Sequence, residues 1–484
     1  MANNSQSIHL KKEIIEKIIK AFYSDNYPEN TRLIPYDLRP KGAEVPYRCC
    51  IYKERAILKE RVKAGLGLSL ENDDDTKLLT EYAKDALNRE KPEEKPLTVL
   101  DAACAGCVPS RVYVTNLCKG CIARPCQNAC KFGAIEIVNG KSKIDGAKCK
   151  NCKMCMSACP YNAIVKLVVP CEEACPVGAI QKDANGIASI NYEECISCGK
   201  CIASCPFGAV NEKSQIIDIL KNLTNEKKQV IAMFAPSLVG QIEGSIYQLK
   251  SAIKKLGFDE VYEVAQGADT TTLNEATEFE ERMEQGAPFM TTSCCAGYNE
   301  YVKKHLPEIK EFVSDTKTPL YYTAEIVKAK YPDAINVFIS PCVAKRKEVM
   351  ENDNVDFVLT YEELGAFLKA RDIEITECEE DQFEIEASKQ SRNFGNTTGV
   401  AEAVKSVLKD KDLVKPHIIS GLTKDTAKDL KKFAKTKNCD GCNLIEIMCC
   451  EGGCVGGNAT INLPRIARKE LKSLLDKSSD LERK

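Results

Sequence analysis

Histidine is nearly absent: the 484 residues contain only three, His9, His305 and His417. Imidazole can therefore supply few metal ligands or proton-transfer groups, and any larger metal content must rest on other side chains. An excess of one charge is also missing. Lys plus Arg number 68 against 70 Asp plus Glu, so no overall basic footprint points to a phosphate backbone, and no nucleic-acid partner is expected. No run of about 18 or more apolar residues occurs, so no membrane-spanning helix is expected. Residues 1–12 (MANNSQSIHLKK) lack an apolar stretch followed by a small-residue cleavage site, and the sequence reads as that of a soluble, cytoplasmic protein. No G-x-G-x-x-G fingerprint follows a strand-like run, which leaves out the usual nicotinamide and flavin sites.

Cysteine, by contrast, is abundant, with 27 residues. Disulfides are disfavoured in a reducing compartment, and soft thiolates select iron-sulfur clusters or zinc. The length exceeds what one hydrophobic core usually serves. Three regions are expected. Residues 1–96 hold only two cysteines, Cys49 and Cys50, and form a helical N-terminal region: Ile14, Ile15, Ile18, Ile19 and Phe22 recur at helical spacing, as do Leu79, Tyr82, Ala83 and Ala86. Pro28 and Gly65 punctuate that pattern, and KPEEKP at 91–96 marks its boundary. Residues 97–213 form a ferredoxin-like α+β iron-sulfur segment in which metal must replace a conventional core. From 214 to 484 strand-like runs (229–234, 335–339) alternate with amphipathic stretches (245–256, 298–306), giving an α/β domain.

Sixteen cysteines fall between Cys104 and Cys205. The bacterial ferredoxin half-motif is C-x2-C-x2-C-x3-C-P, its fourth cysteine serving the partner half's cluster. Two intact copies are Cys149, Cys152, Cys155, Cys159 and Cys195, Cys198, Cys201, Cys205; a third, Cys118, Cys121, Cys126, Cys130, is expanded by two residues. Cys104 and Cys107 lack a second half, while Cys171 and Cys175 lack a first. Joined across 108–170, these four complete one interrupted motif, so one two-cluster ferredoxin is nested inside another. Cross-ligation then gives an outer pair, Cys104, Cys107, Cys171, Cys205 and Cys175, Cys195, Cys198, Cys201. The inner pair is Cys118, Cys121, Cys126, Cys159 and Cys130, Cys149, Cys152, Cys155. Sixteen thiolates suit four [4Fe-4S] clusters. Ala134-Ile135, Ala163-Ile164, Ala179-Ile180 and Ala209-Val210 repeat after each fourth cysteine. Structural zinc sites are the bland alternative.

Three further islands stand far apart in sequence: Thr292 to Tyr298 (TSCCAGY), Pro341 to Glu348 (PCVAKRKE) and Glu446 to Gly457 (EIMCCEGGCVGG). Here the chain resembles the [FeFe]-hydrogenases, whose signatures are TSCC-P-x-W, PC-x2-K-x2-E and E-x-M-x-C-x2-GC-x2-GG, and it is most similar to their group B, monomeric branch. The resemblance covers about residues 220–465 and includes Gly267-Ala268-Asp269, Glu275 to Glu278, Gly399-Val400 and Glu402-Ala403.

The resemblance implies an H-cluster: a [4Fe-4S] cluster on Cys295, Cys342, Cys450 and Cys454, bridged through Cys454 to a diiron subsite carrying CO, cyanide and azadithiolate. It puts Ala235, Pro236, Ser237, Ser340 and Met448 around that cofactor, makes Lys345 a donor to cyanide, and makes Cys294 the proton shuttle to a relay of Glu275, Glu278 and Ser314. A buried ammonium needs such an anionic partner. The implied activity is reversible oxidation of H2 to protons, of the ferredoxin-hydrogenase type. Its partners would be a ferredoxin-type electron carrier and the proteins that mature the diiron site. Departures are Ala296, Tyr298, Ser340 and Leu320, all expected to line the subsite. Cys49, Cys50, Cys378 and Cys449 read as buried structural thiols; Cys439-x2-Cys442 is an incomplete metal site or a redox pair. A non-catalytic Narf-like iron-sulfur carrier and an H2 sensor are the competing readings.

Overall fold

The computed structural model describes residues 6–42, 48–71, 73–74 and 76–481. Part of the leader reading, residues 1–5, thus lies outside the described residues, as do parts of the N-terminal region. Four helices, Gln6–Phe22, Tyr27–Leu38, Ile51–Gly65 and Leu79–Asn88, occupy the N-terminal region. Ile14, Ile15, Ile18 and Ile19 are buried together with Leu58, Val62, Tyr82 and Ala83, in the same core as the strands of the C-terminal domain. Pro28 sits in the first turn of the second helix, where its missing N–H costs nothing. Cys49 and Cys50 depart from expectation: Cys49 is exposed and Cys50 half-buried, because they precede the helix Ile51–Gly65, with Cys50 at its N-cap.

The cysteine-rich segment repeats one small unit. One-turn helices at Pro125–Asn128, Met154–Ala158, Pro170–Ala174 and Lys200–Ser204 each run into a cysteine. Short strands then begin at Ile135, Ile164, Ile180 and Val210. The alanine before the strand is small enough to pack there, and at Ala134, Ala179 and Ala209 its N–H donates to Sγ of Cys130, Cys175 and Cys205 at 3.3, 3.3 and 3.4 Å. Two antiparallel pairs bracket the segment. Leu97–Val99 pairs with Val210–Glu212, and between them Arg111–Val114 pairs with Ile164–Leu167.

Two parallel sheets build the C-terminal domain. The first has the spatial order Glu260–Glu263, Val230–Phe234, Ile335–Ser340, Phe357–Thr360. The second has Met290–Thr291, Leu444–Met448, Pro416–Ser420. Val230–Phe234 is buried at every residue, as a strand covered on both faces must be. The three cysteine islands and the Ala235-Pro236-Ser237 turn all follow the carboxyl ends of these strands, where open α/β sheets place ligands. Ser245 caps the helix Ile246–Lys255 through a capping box with Gln248.

A buried polar seam ties the three regions together. Lys11 of the first helix pairs with Glu212 at 2.6 Å and with Glu362, while Glu363 takes a bidentate bond from Arg346 at 2.8 and 2.9 Å and a hydroxyl from Ser214. Arg346 also donates to the Lys213 carbonyl. Glu212 and Glu362 are 4% and 3% exposed, so each relies on Lys11 for charge compensation. Lys11→Met should therefore cost about 3–5 kcal/mol, the penalty of stranding buried carboxylates. It should lower the denaturation midpoint followed by circular dichroism, and Glu362→Gln in the same chain should restore part of the loss.

Candidate active site

Each island reaches the site by a short local device. Cys295 is the N-cap of the helix Ala296–His305, which starts two residues before the expected stretch; Cys342 leaves the strand Ile335–Ser340; and Cys450 and Cys454 flank a turn in which Gly452 and Gly453 have φ of +87° and +86°. At Gly453 an added Cβ would lie 2.7 Å from the Thr397 N atom, so only glycine allows the turn to press against 395–397. The three islands converge on a cavity of about 100 Å³. Cys294, Cys295, Cys342, Cys450 and Cys454 all line it, with Lys345, Ala235, Pro236, Ser237, Ser340 and Met448. The rest of the wall is mostly apolar and includes Val264, Phe338 and Phe394, which no sequence motif marks. Tyr361 is another residue the sequence left unnoticed: its buried hydroxyl donates to the Ala235 carbonyl at 3.2 Å and accepts from Ser237 at 2.8 Å, fixing that turn.

Of the four departures, Ala296, Ser340 and Leu320 line the cavity. Tyr298 does not. Three residues past the N-cap, it turns into the core with Ile196 and Phe289, where its hydroxyl meets Thr291 at 2.9 Å and satisfies both buried groups.

Burial governs the thiols. It pushes Cys342 up to about 11 and Cys454 to about 12, the neighbouring cysteines adding to both, and it holds Cys450 well above the ordinary thiol range. Cys295 runs the other way, down to about 6, because the Cys449 side chain donates to it, helped by the Cys449 N–H at 3.5 Å. Cys449 is buried, as expected, but it lies against a ligand candidate rather than in an unrelated core. Cys378 is buried too. Lys345 Nζ donates to the Cys294 carbonyl at 3.3 Å and pairs with Glu348. Burial opposes its charge, yet Glu348 and the facing Cys294 and Cys454 thiols keep its pKa raised. Ser340 Oγ accepts from the Cys342 N–H at 3.2 Å.

Behind Cys294, outside the cavity wall, lie the three other acid-base candidates. Glu275 and Glu278 share one face of the helix Ala265–Glu284. Glu275 is 1% exposed, and the Ser293 backbone and Ser314 side chain offset its burial only weakly. Burial first, then Glu278 and Glu446, push it up to about 8. Glu278 is satisfied by Ser314 Oγ at 2.6 Å, Thr316 Oγ1 at 2.7 Å, the Asp315 N–H at 2.8 Å and Arg282 at 2.7 Å, and these donors outweigh partial burial to lower its pKa. Burial also raises Cys294 strongly, with Glu275 next in effect. A neutral thiol, a neutral carboxyl and an ionised carboxylate thus follow one another from the cavity toward the surface. Glu446 accepts from the Thr398 and Ala401 N–H groups at 2.7 and 2.8 Å, pinning its strand to the start of the helix Gly399–Val407.

The upstream cysteines also surround voids. One is lined by Cys130, Cys149, Cys152 and Cys155, another by Cys175, Cys195, Cys198 and Cys201. Cys171 is pushed up to about 11 by burial and then by Cys205, and Lys182 donates to Cys104 at 3.3 Å. Cys198 lines the C-terminal cavity as well, so the second void adjoins the first site. Asn458 donates to the Cys198 carbonyl and Lys304 to the Cys195 carbonyl, clamping the two regions. Cys439 and Cys442 do not line the cavity; they face each other across a single antiparallel bridge, in the apolar core that also holds Tyr298 and Cys449. Among the described residues no helix is long and apolar enough to cross a membrane.

Comparison with known proteins agrees with this geometry. Residues 228–458 match the family model described as iron only hydrogenase large subunit, C-terminal domain. Residues 166–216 match an LdpA Fe-S cluster-binding domain and 142–165 a 4Fe-4S binding domain. Iron hydrogenase 1 of Clostridium pasteurianum is 30% identical over 322 residues, 55% of each chain. Cytosolic Fe-S cluster assembly factor NAR1 of Meyerozyma guilliermondii is 27% identical over 222 residues, 39% of each chain. The NADP-reducing hydrogenase subunit HndD of Solidesulfovibrio fructosivorans is 26% identical over 305 residues, 51% of this chain and 52% of that one. The chain spans about half the length of these two hydrogenase relatives.

Glu275 offers a direct check. The unfolded group ionises near 4.5 and the folded one near 8, so burying it costs nothing below pH 4.5 and costs most above pH 8. At pH 7 its protonated C=O stretch should be present in the infrared spectrum, fade as pH rises through about 8, and be missing in Glu275→Gln. A Glu275 already ionised at pH 6 would contradict the assignment.

Proposed function

We propose that this chain, whose residues 228–458 match the iron only hydrogenase C-terminal domain, is an [FeFe]-hydrogenase-like protein that catalyses the reversible interconversion of H2 with two protons and two electrons. The observation that carries this reading is the convergence of three distant cysteine islands, Lys345 and Cys294 on one water-poor cavity. The donor set fits the H-cluster: four cysteines, Cys295, Cys342, Cys450 and Cys454, would hold the cubane, Cys454 would bridge to the diiron subsite, and Lys345 can donate to an anionic diatomic ligand. When bound, that group supplies the iron chemistry on H2.

The chain's own residues then manage protons and water. Cys294 Sγ would take and return a proton at the cavity wall, Glu275 would carry it as a neutral acid, and Ser314 and Glu278 would pass it toward Arg282 and the surface. The apolar wall, with the Ala235 to Ser237 turn, Ser340 and Met448, keeps water from the diatomic ligands.

For electrons, we assign the sixteen upstream thiolates to four [4Fe-4S] clusters in the nested, cross-ligated sets given above. The two voids support two of these sets, and the inner strand pair within the outer pair supports the nesting. The cluster on Cys175, Cys195, Cys198 and Cys201 would be the last before the catalytic cavity. A ferredoxin-type carrier would exchange electrons with this relay, in a reducing cytoplasm where the cysteines stay free. The group B assignment and the need for maturation proteins belong to the same reading.

After maturation, infrared bands of CO and cyanide should appear; their absence with full iron loading would favour the assembly-factor reading that the NAR1 match represents. Cys294→Ala should keep the iron content and cut turnover by at least about 100-fold, in line with losing a general acid-base group. Cross-ligation has its own signature. Cys130→Ser and Cys152→Ser should alter the same paramagnetic cluster signal, and Cys126→Ser a different one shared with Cys159→Ser.

A further inference from the structure

The N-terminal helices supply no wall residue to the catalytic cavity, yet one of them covers a set of upstream cysteines. Ile57, Glu60, Arg61 and Ala64 share one face of the helix Ile51–Gly65. Ile57 and Ala64 are buried with Leu100, Ala103 and Ala209, against Cys104 and Cys205. Both cysteines belong to one outer ligand set, Cys104, Cys107, Cys171 and Cys205.

Arg61 stands out on that face. It is 7% exposed, its Nη2 donates to the Phe207 carbonyl at 3.2 Å, and its buried Nε has no hydrogen-bond partner. Among the described residues no carboxylate forms an ion pair with it. The adjacent Glu60 accepts from the Ala102 N–H at 3.1 Å instead, and burial pushes it up to about 7, so much of it is neutral near that pH. A buried guanidinium without an anion is costly.

The four half-repeats contain their own control. A residue of positive φ follows each fourth cysteine by three positions, at Gly133, Asn162, Gly178 and Gly208. An added Cβ would meet nothing within 4 Å at Gly133 or Gly178, but at Gly208 it would lie 2.7 Å from Arg61 Nη2. Of these three glycine turns only the last is filled, and a guanidinium fills it. The Gly208 N–H bonds the Cys205 carbonyl at 3.0 Å, so the cation presses on the turn that carries Cys205.

Two further cations reach the same ligand set. Arg48 donates to the Ala103 carbonyl, its guanidinium 5.0 Å from the centre of the Phe207 ring. Lys182 donates to Cys104 Sγ at 3.3 Å; burial opposes its charge, but Cys104, Cys107 and Cys171 keep its pKa raised. Burial lowers Arg61 to about 10, with Cys205 the first group to oppose it, so Arg61 stays charged at neutral pH.

We propose that Arg61 is the fixed countercharge of an iron-sulfur cluster on Cys104, Cys107, Cys171 and Cys205, and that it raises the reduction potential of that cluster. The proposal rests on the reading that these four cysteines hold a cluster. Reduction brings in one electron from a neighbouring cluster of the relay, with no bond made or broken, and adds negative charge. A cation held in a dry contact favours the reduced form. Arg61 touches no reacting atom and acts through the relay, as a positioning residue. Together with the set that includes Cys198, this one completes the outer ferredoxin, so an electron held here waits one cluster away from the catalytic cavity. The N-terminal helix is thereby both the cover and the charge of that cluster.

The test is an anaerobic redox titration of the iron-loaded full chain, followed by electron paramagnetic resonance. Cys104→Ser and Cys205→Ser should alter the same cluster signal, which identifies it. In Arg61→Met the reduced-to-oxidised ratio of that cluster at a fixed potential should fall about tenfold, a midpoint lower by about 59 mV for one electron, while the other signals keep their midpoints. Arg61→Gln, which keeps a donor for the Phe207 carbonyl but no charge, should shift the same way, and Arg61→Lys should restore most of the potential. Unchanged midpoints in both neutral variants with full iron content would overturn the proposal, as would an Arg61→Lys shift as large as that of Arg61→Met, an equal shift of every cluster, or loss of iron from both neutral variants. If Cys104→Ser and Cys205→Ser alter different signals, the ligand set itself fails and the proposal with it. H2 turnover enters none of these readouts, so the hydrogenase reading stands or falls apart from them.

Discussion

Several thiols share one apolar cavity, and in such a place their charged forms repel one another and are poorly solvated. Cys342, Cys450 and Cys454 are accordingly pushed toward the protonated state. Metal ligation requires the opposite state, so cofactor binding must release protons and supply the countercharge that the wall withholds. The rest of the site follows from that tension. Walls without donors keep water out, Lys345 places one compensated cation beside the sulfurs, and Cys449 stabilises the single thiolate, Cys295, that the protein favours unaided.

The folded scaffold makes the convergence possible. Parallel strands end their side-chain-bearing loops on one side, so segments some fifty to a hundred residues apart in sequence arrive at one crevice without long excursions. Hydrogen-bonded glycines at 452 and 453 then press the last island against its neighbours. The seam of Lys11, Arg346, Glu362 and Glu363 also follows the carboxyl ends of two of these strands, and through Lys11 it ties the first N-terminal helix to both the cysteine-rich segment and the C-terminal domain.

Much of this was legible in the sequence, for identifiable reasons. Ligand spacing is local, so the half-motifs and the three islands could be read directly, and the period of apolar residues located two strands and two helices of the C-terminal half to within two residues. What escaped depends on long-range packing. Nothing around Tyr361 signals that its hydroxyl will brace the Ala235 turn, and Tyr298 was expected beside the cofactor because its neighbours are, although helical geometry turns it into the core. Cys449 looked like an inert buried thiol since its contact, Cys295, lies 154 residues away. Cys49 and Cys50 looked buried by type, yet helix-start geometry leaves Cys49 at the surface.

Gly297 separates the two sulfur-bearing regions. A Cβ at this position would meet Cys449 Sγ at 3.0 Å and Cys198 Cβ at 3.8 Å. The missing side chain therefore leaves Cys449 room to sit against Cys295, while Cys198 lies at ordinary packing distance from the same spot. A methyl group here would push on the donor that lowers the Cys295 pKa rather than on the cysteine-rich segment. One hydrogen atom in place of a carbon thus sets the acidity of a neighbouring thiol.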